Sequence, residues 1–291
     1  MISRKTVIRR QFNRSAAGSY DTHANVQRDM AKKLMQSLKP WTSGKNRNEI
    51  NILEIGCGTG TLTEMLLNEW PNASITAIDI APAMIKAAEE RIRLNSQNNV
   101  SNNNERSSRV QFLHADIEMW AANAPIGSFD LIVSNACFQW LSDPQQTLEY
   151  LNRLLCPGGL LTFTTFGPET FRELHLSFQE VYLAAGMEYQ RHGLSFQTAE
   201  QWRDFLTKSK FHSIQYEQYC RSEEYASARE FLLAVKAQGA STSEAASNSP
   251  ALRRLFADMF KVYEDKFSTL GGVYATYDVL LISGISKQSS D

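Results

Sequence analysis

The sequence predicts an α/β protein built on a doubly wound, mostly parallel sheet, with a helical arm before the sheet and a helical cap inserted beside it. Three observations carry that expectation. From residue 50 onward, short apolar runs alternate with longer segments of helical period, the pattern of successive βαβ units. The first run leads into a glycine-rich turn, ILEIGCGTGTLT at 52–63, and ligands in such sheets sit at the carboxyl ends of the strands. After residue 166 the alternation breaks into helices with two late strands.

Taken in order, INILEIG (50–56) reads as a buried strand, 61–70 as a helix, 74–80 as a strand, 82–95 as a helix, 110–116 and 129–135 as strands, 144–155 as a helix and 159–166 as a strand. Beyond these, 169–186 and 198–209 read as helices, 212–220 as a strand, 226–239 and 250–267 as helices, and 273–284 as a last strand. The two late strands suggest an antiparallel, hairpin-like end to the sheet. Polar stretches at 95–109 and 239–250 read as exposed loops. The chain thus divides into a basic helical arm (1–47), a sheet core (48–166) and a cap with the final strands (167–291).

A chain of 291 residues, 43% hydrophobic and 21% charged, suits one large or two small soluble domains. No apolar run reaches the length of a membrane span, and MISRKTVIRRQFNRS lacks the apolar stretch of a signal peptide, so a cytoplasmic location without membrane attachment is expected. Cys57, Cys137, Cys156 and Cys220 have neither CxxC spacing nor histidine neighbours, so reduced thiols and no metal site are expected. The net charge of −1 hides an arm with eleven lysines and arginines against Asp21 and Asp29. Such an arm draws an acidic partner, or else forms a solvated face.

The glycine turn discriminates between ligands. It lacks the lysine of a triphosphate loop, and its glycines at 56, 58 and 60 are spaced GxGxG, with Thr61 where a dinucleotide fingerprint continues. Glu54 would repel a pyrophosphate. S-adenosyl-L-methionine fits better: its carboxylate suits the turn and helix N-terminus, its ammonium suits Glu54 directly or through water, and Gly56, Gly58 and Gly60 allow close approach and positive φ. Asp79, nineteen residues after Gly60, can accept the ribose hydroxyls. Asp116 can accept the adenine amino group, with Ile117, Ile80 and Met84 as apolar walls, and Asn135 would lie by the methionyl group.

These three motifs, at the ends of three consecutive strands, resemble the class I S-adenosylmethionine-dependent methyltransferases. The resemblance implies a Rossmann-like, seven-stranded sheet whose late strands form its antiparallel end. The family's base-methylating members carry an NPPY-type motif where this chain has SNACF, so a nucleic-acid substrate is disfavoured. FNRSAAGSYDTHANVQRDMAKKL, SNACFQWLSDP, PGGLLTFTTFGPETFRELH and VYATYDVLLISG further resemble the malonyl-acyl carrier protein O-methyltransferases of biotin synthesis.

That resemblance implies methyl esterification of the free carboxyl of malonyl-acyl carrier protein, with S-adenosyl-L-homocysteine as second product. The ionised carboxylate is already a nucleophile and needs no general base. Tyr20 and Arg172 are the candidates for orienting the acceptor, Gln139 and Trp140 for contacting it, and Gln27 joins the cofactor set as part of an arm folding over the site. His114 and His175 rank lower. Arg9, Arg10, Arg14, Lys32 and Lys33 would steer the acidic carrier. Three other readings stay open: esterification of a small free acid such as an aconitate-like tricarboxylate, an NAD-dependent oxidoreductase, and a noncatalytic carrier-binding protein.

Overall fold

The computed structural model describes residues 3–16, 20–42, 50–97, 108–239 and 250–287. The two polar stretches expected as loops lie largely outside these residues, as do Lys45 and Arg47. Three helices form the arm: α1 (Arg4–Ser15), α2 (Tyr20–His23) and α3 (Asn25–Thr42). The core follows as β1 (Asn51–Ile55), α4 (Thr61–Glu69), β2 (Ser74–Asp79), α5 (Pro82–Gln97), β3 (Val110–His114), α6 (Ile117–Asn123), β4 (Phe129–Asn135), a 3-10 turn (Phe138–Trp140), α7 (Pro144–Leu154) and β5 (Leu155–Phe166). The remainder is α8 (Arg172–Ala184), α9 (Ala199–Lys208), β6 (Phe211–Tyr225), α10 (Ala228–Ala237), α11 (Pro250–Lys266), β7 (Ser268–Thr269) and β8 (Gly272–Ser286).

The sheet runs β3-β2-β1-β4-β5-β8-β6, seven strands, with the two-residue β7 paired to β8 off that path. Neighbours from β3 to β5 are parallel, while β8 lies antiparallel between β5 and β6. The late strands therefore pair as expected but are no hairpin, because α10 and α11 lie between them in sequence. Charged residues along β6, among them Glu217, Arg221 and Glu224, suit its place at the sheet edge, where an unpaired strand would otherwise invite association.

Local sequence explains the helix starts. Asp143 caps α7 by accepting from Gln146 N at 2.9 Å, with Pro144 in the first turn, where its missing N–H costs nothing. Thr198 and Gln201 form a reciprocal capping box on α9. On one face of the sheet α6, α7 and α9 pack Ile117, Leu148, Leu151 and Trp202 against Leu53, Ile132 and Phe163. On the other, α3, α4 and α5 pack Leu34, Leu66 and Ala88 against Ile52 and Val133. A third cluster joins α8, α10 and α11 to Val273 and Ala275 of β8, and that cluster is the cap.

Strand alternation decides the position of Glu54. It shares a face with Ile52, so it points toward α4, where Thr63 Oγ1 donates to its Oε2 at 2.6 Å. It is 1% exposed, and burial pushes its carboxyl up to about 8, against the opposing effect of the Thr63 bond. The folded protein thus keeps a proton that the unfolded chain releases from about pH 4.5 upward. Stability from this group is full below that pH, declines across the interval and levels off above about pH 8. Melting temperatures taken across pH 5–8 should fall less steeply for Glu54→Gln than for the wild type; parallel profiles would show that Glu54 does not hold that proton.

Candidate functional site

The donor side of the site is built where β1, β2, β3 and β4 end. Gly56 (φ 71), Gly58 (φ 54) and Gly60 (φ 84) all take left-handed conformations. A Cβ on Gly56 would stand 2.5 Å from Cys137 Sγ, so only glycine lets this turn pass under the loop after β4. Gly56 N and Cys57 N donate to Ile78 O, at 2.8 and 3.1 Å. Gly58 N donates to Asp79 Oδ2 at 3.0 Å and Ala81 N to Oδ1 at 2.8 Å, so one carboxylate ties two turns together. Burial raises the Asp79 carboxyl to about 6, opposed by the amides of Ala81 and Gly58.

Gly56, Gly58, Asp79, Ile80, Met84, Asp116, Ile117 and Asn135 come together on the wall of a cavity of about 80 Å³. Glu54 and Gly60 do not line it: Glu54 lies beneath the turn on Thr63, and Gly60, at the start of α4, has its would-be Cβ 3.0 Å from Ala88 of α5. In this arrangement Glu54 supports the turn from behind. Asn135 donates to Gln27 O at 2.9 Å and accepts from Thr164 Oγ1 at 2.7 Å, a pairing that holds it between arm and sheet. Asp116 caps α6 by accepting from Glu118 N at 3.1 Å, and the same Oδ1 accepts from Lys5 Nζ at 3.1 Å. Lys5 also pairs with Glu118.

The arm supplies the outer wall through Lys5, Ile8, Phe12 and Tyr20. Asp21 fastens it: Thr59 Oγ1 donates to Oδ1 at 2.7 Å and Arg91 Nη2 to Oδ2 at 2.6 Å, while Arg91 Nε donates to Thr59 O at 2.8 Å. Asn13 Oδ1 accepts from Ala83 N at 3.0 Å. Tyr20 lies with the cofactor set rather than with the acceptor set. Burial, then the charges of Asp79 and Asp21, push its phenol above the usual tyrosine range, so it stays a neutral hydrogen-bonding group.

A second cavity, of about 1040 Å³, lies between arm and cap, lined by Phe166, Phe171, Leu174, Phe178 and other apolar groups. Trp140 lines both cavities, stacked edge-on to Phe12 with centroids 5.5 Å apart. Gln27 and Gln139 stand beside it on the large cavity's wall. Gln139 accepts from Thr165 Oγ1 at 3.0 Å and donates to Ala136 O at 2.8 Å; Gln27 donates to Gln238 Oε1 at 2.8 Å.

Arg172 is corrected: it lines neither cavity, is 48% exposed, and donates to Glu173 Oε1 at 3.2 Å. The same helix turns Leu174, His175 and Phe178 inward, so the expected helix contributes with a different face. His175 is 9% exposed with no partner at Nδ1, and burial, then Arg191 and His192, push its imidazole down to about 4. His114 stays outside both cavities, bonded to Ile80 O at 3.1 Å. Of the five steering cations only Arg14 lines the large cavity. Lys32 pairs with Asp29 at 3.2 Å, a neighbour on its own helix, and Lys33 with the distant Glu217 of β6 at 2.5 Å, and Arg9 and Arg10 are exposed away from both cavities. Lys5, Asp21 and Arg91 were not foreseen; an acid beside the SYD tyrosine was the visible hint of the second.

The methyltransferase domain family matches residues 53–161. The chain is 54% identical over 279 residues to the malonyl-[acyl-carrier protein] O-methyltransferase of Paenibacillus sp. (strain JDR-2), covering 96% of this chain and 98% of that one. It is 37% identical to the enzyme of the same name from Brevibacillus brevis, covering 98% of each. Among solved structures, the YcgJ protein of Bacillus subtilis aligns over 89% of this chain and all of its own, with TM-score 0.59 and 14% identity. Phosphoethanolamine N-methyltransferase 2 of Haemonchus contortus, in complex with S-adenosyl-L-methionine, aligns over 88% of this chain and 53% of its own, with TM-score 0.54 and 18% identity. These two share the class I methyltransferase fold. With near-complete coverage and 54% identity to a named relative, the chain belongs to the malonyl-[acyl-carrier protein] O-methyltransferase family.

Proposed function

We propose that the protein transfers a methyl group from S-adenosyl-L-methionine to the free carboxyl of malonyl-acyl carrier protein, releasing the methyl ester and S-adenosyl-L-homocysteine. The observation that carries this reading is the pair of cavities sharing Trp140: one has the polar groups of a nucleoside site, the other is large and mostly apolar. The relatives favour a carrier-bound substrate over a free tricarboxylate. The resemblance to biotin-synthesis enzymes supplies the purpose: a methyl ester removes a charge that apolar elongation pockets would otherwise have to desolvate. Four cysteines free of disulfides suit a cytoplasmic setting.

The donor set fits the cofactor chemically. Two carboxylates face the small cavity, Asp79 for a diol and Asp116 for an exocyclic amine, between the apolar side chains of Ile80, Met84 and Ile117. S-adenosyl-L-methionine supplies a methyl on a cationic sulfonium. The chain's own groups do the rest. Lys5, Phe12 and Tyr20 close the small cavity on its outer side. Trp140 and the phenylalanines of the large cavity exclude water from the acceptor carboxylate, which leaves its lone pair free to attack. A carbon–oxygen bond forms as the carbon–sulfur bond breaks, and no proton moves. Gln27 and Gln139 orient the acceptor without the full charge of an arginine, which would quench the nucleophile.

Intact-mass measurement of malonyl-acyl carrier protein after incubation with the protein and S-adenosyl-L-methionine should show a gain of one CH2, with acetyl-carrier protein unchanged; equal labelling of both would defeat the carboxyl as target. In equilibrium titrations Asp79→Asn should weaken cofactor binding about 10- to 100-fold, the loss expected for charge-assisted hydrogen bonds. Lys5→Ala, which removes the partly buried ion pairs to Asp116 and Glu118, should cost only about fivefold. Wild-type affinity in Asp79→Asn would remove that carboxylate from the cofactor site.

A further inference from the structure

The large cavity far exceeds what a three-carbon acyl group needs, and the groups at its mouth are of a different kind from those inside. Arg14, Arg229 and Lys236 line it with exposed side chains, and none makes an ion pair among the described residues. The lysines nearby are engaged, Lys5 with Asp116 and Glu118, Lys33 with Glu217. Two of the three free cations are brought together by the backbone. Arg14 lies in the last turn of α1 and Lys236 in the last turn of α10, and these helix ends meet at Gly239, whose would-be Cβ stands 3.0 Å from Phe12 Cδ1 and 3.1 Å from Ser15 Oγ. Arg229 precedes Lys236 by two helical turns on the same face, about 10 Å along the axis. Three unpaired cations at one mouth make a site for a phosphate-type anion.

Deeper in, His175 lines the cavity at 9% exposed, with its Nδ1 enclosed beneath the wall and without a partner among the described residues. A buried polar nitrogen without a partner is costly unless a ligand completes it. An amide can do so with either tautomer, since it both donates and accepts. Phosphate at the mouth, amides within and an acyl thioester at Trp140 describe one linear molecule. Resting on the carrier-thioester reading above, we infer that the large cavity takes the phosphopantetheine arm itself, its phosphate held by Arg14, Arg229 and Lys236 and one of its amides by His175. The same arm is presented by the carrier protein and by coenzyme A.

The test compares kcat/KM on malonyl-4′-phosphopantetheine and malonyl-pantetheine, which differ by the phosphate alone. The wild type should prefer the phosphorylated arm by about tenfold or more, a difference of ~1.4 kcal/mol, and in Arg229→Ala/Lys236→Ala that preference should fall toward one. No preference in the wild type, or an undiminished one in the variant, would overturn the assignment. Malonyl-carrier protein and malonyl-coenzyme A serve as parallel substrates. A loss in the variant confined to the carrier would place these cations on the carrier's surface and also overturn the arm site. Calorimetric titration of unloaded 4′-phosphopantetheine reads the site without turnover, so a protein that binds it through these cations but methylates no malonyl thioester would keep the arm site and sink the reaction proposed above.

Discussion

The carboxylate of Asp79 joins the turn after β1 to the turn after β2, accepting from Gly58 N and Ala81 N. The donor cavity depends on that junction. Without it the glycine turn, which already holds three residues at positive φ, would lose the partner for one of its inward amides. Its burial raises the carboxyl to about 6, against the two amides that favour the charged form. Glu54 supports the same turn from the opposite face through Thr63 and α4.

The N-terminal arm gives the rest of the fold its second compartment. Asp21, Asn13 and Lys5 fasten it at three places, to the glycine turn and α5, to the start of α5, and to α6. The five bonds at these places join polar groups at least partly reached by solvent, so each adds little alone, and the arm's firm anchor is α3, whose Leu34 and Leu38 are buried against the sheet. The same helices then meet the cap at Gly239, which makes the arm a boundary of both cavities and Trp140 the wall between them.

The sheet and the donor residues were legible because both follow local rules. Asp79, Asp116 and Asn135 end or directly follow their strands, and in a parallel sheet those ends converge whatever the loops do. Strand alternation pairs Glu54 with Ile52 and sets it behind the glycine turn rather than on the cavity wall. Arg172 failed for a different reason: which face of α8 meets the cavity is settled by packing with α10 and α11, far away in sequence. Lys33 is neutralised by Glu217, and no local pattern foretells that pair. The seven-residue α6 escaped because it is too short to show a helical period, though Asp116 at its start has the form of a cap.

The most direct test of a shared wall is a crystal structure with malonyl-pantetheine and sinefungin, an S-adenosylmethionine analogue bearing an amine in place of the methyl. The account predicts the nucleoside between Asp79 and Asp116 and a malonyl carboxylate oxygen within about 3–3.5 Å of that amine, beside Trp140. A malonyl group seated elsewhere in the large cavity, or a nucleoside outside the Asp79 wall, would contradict it.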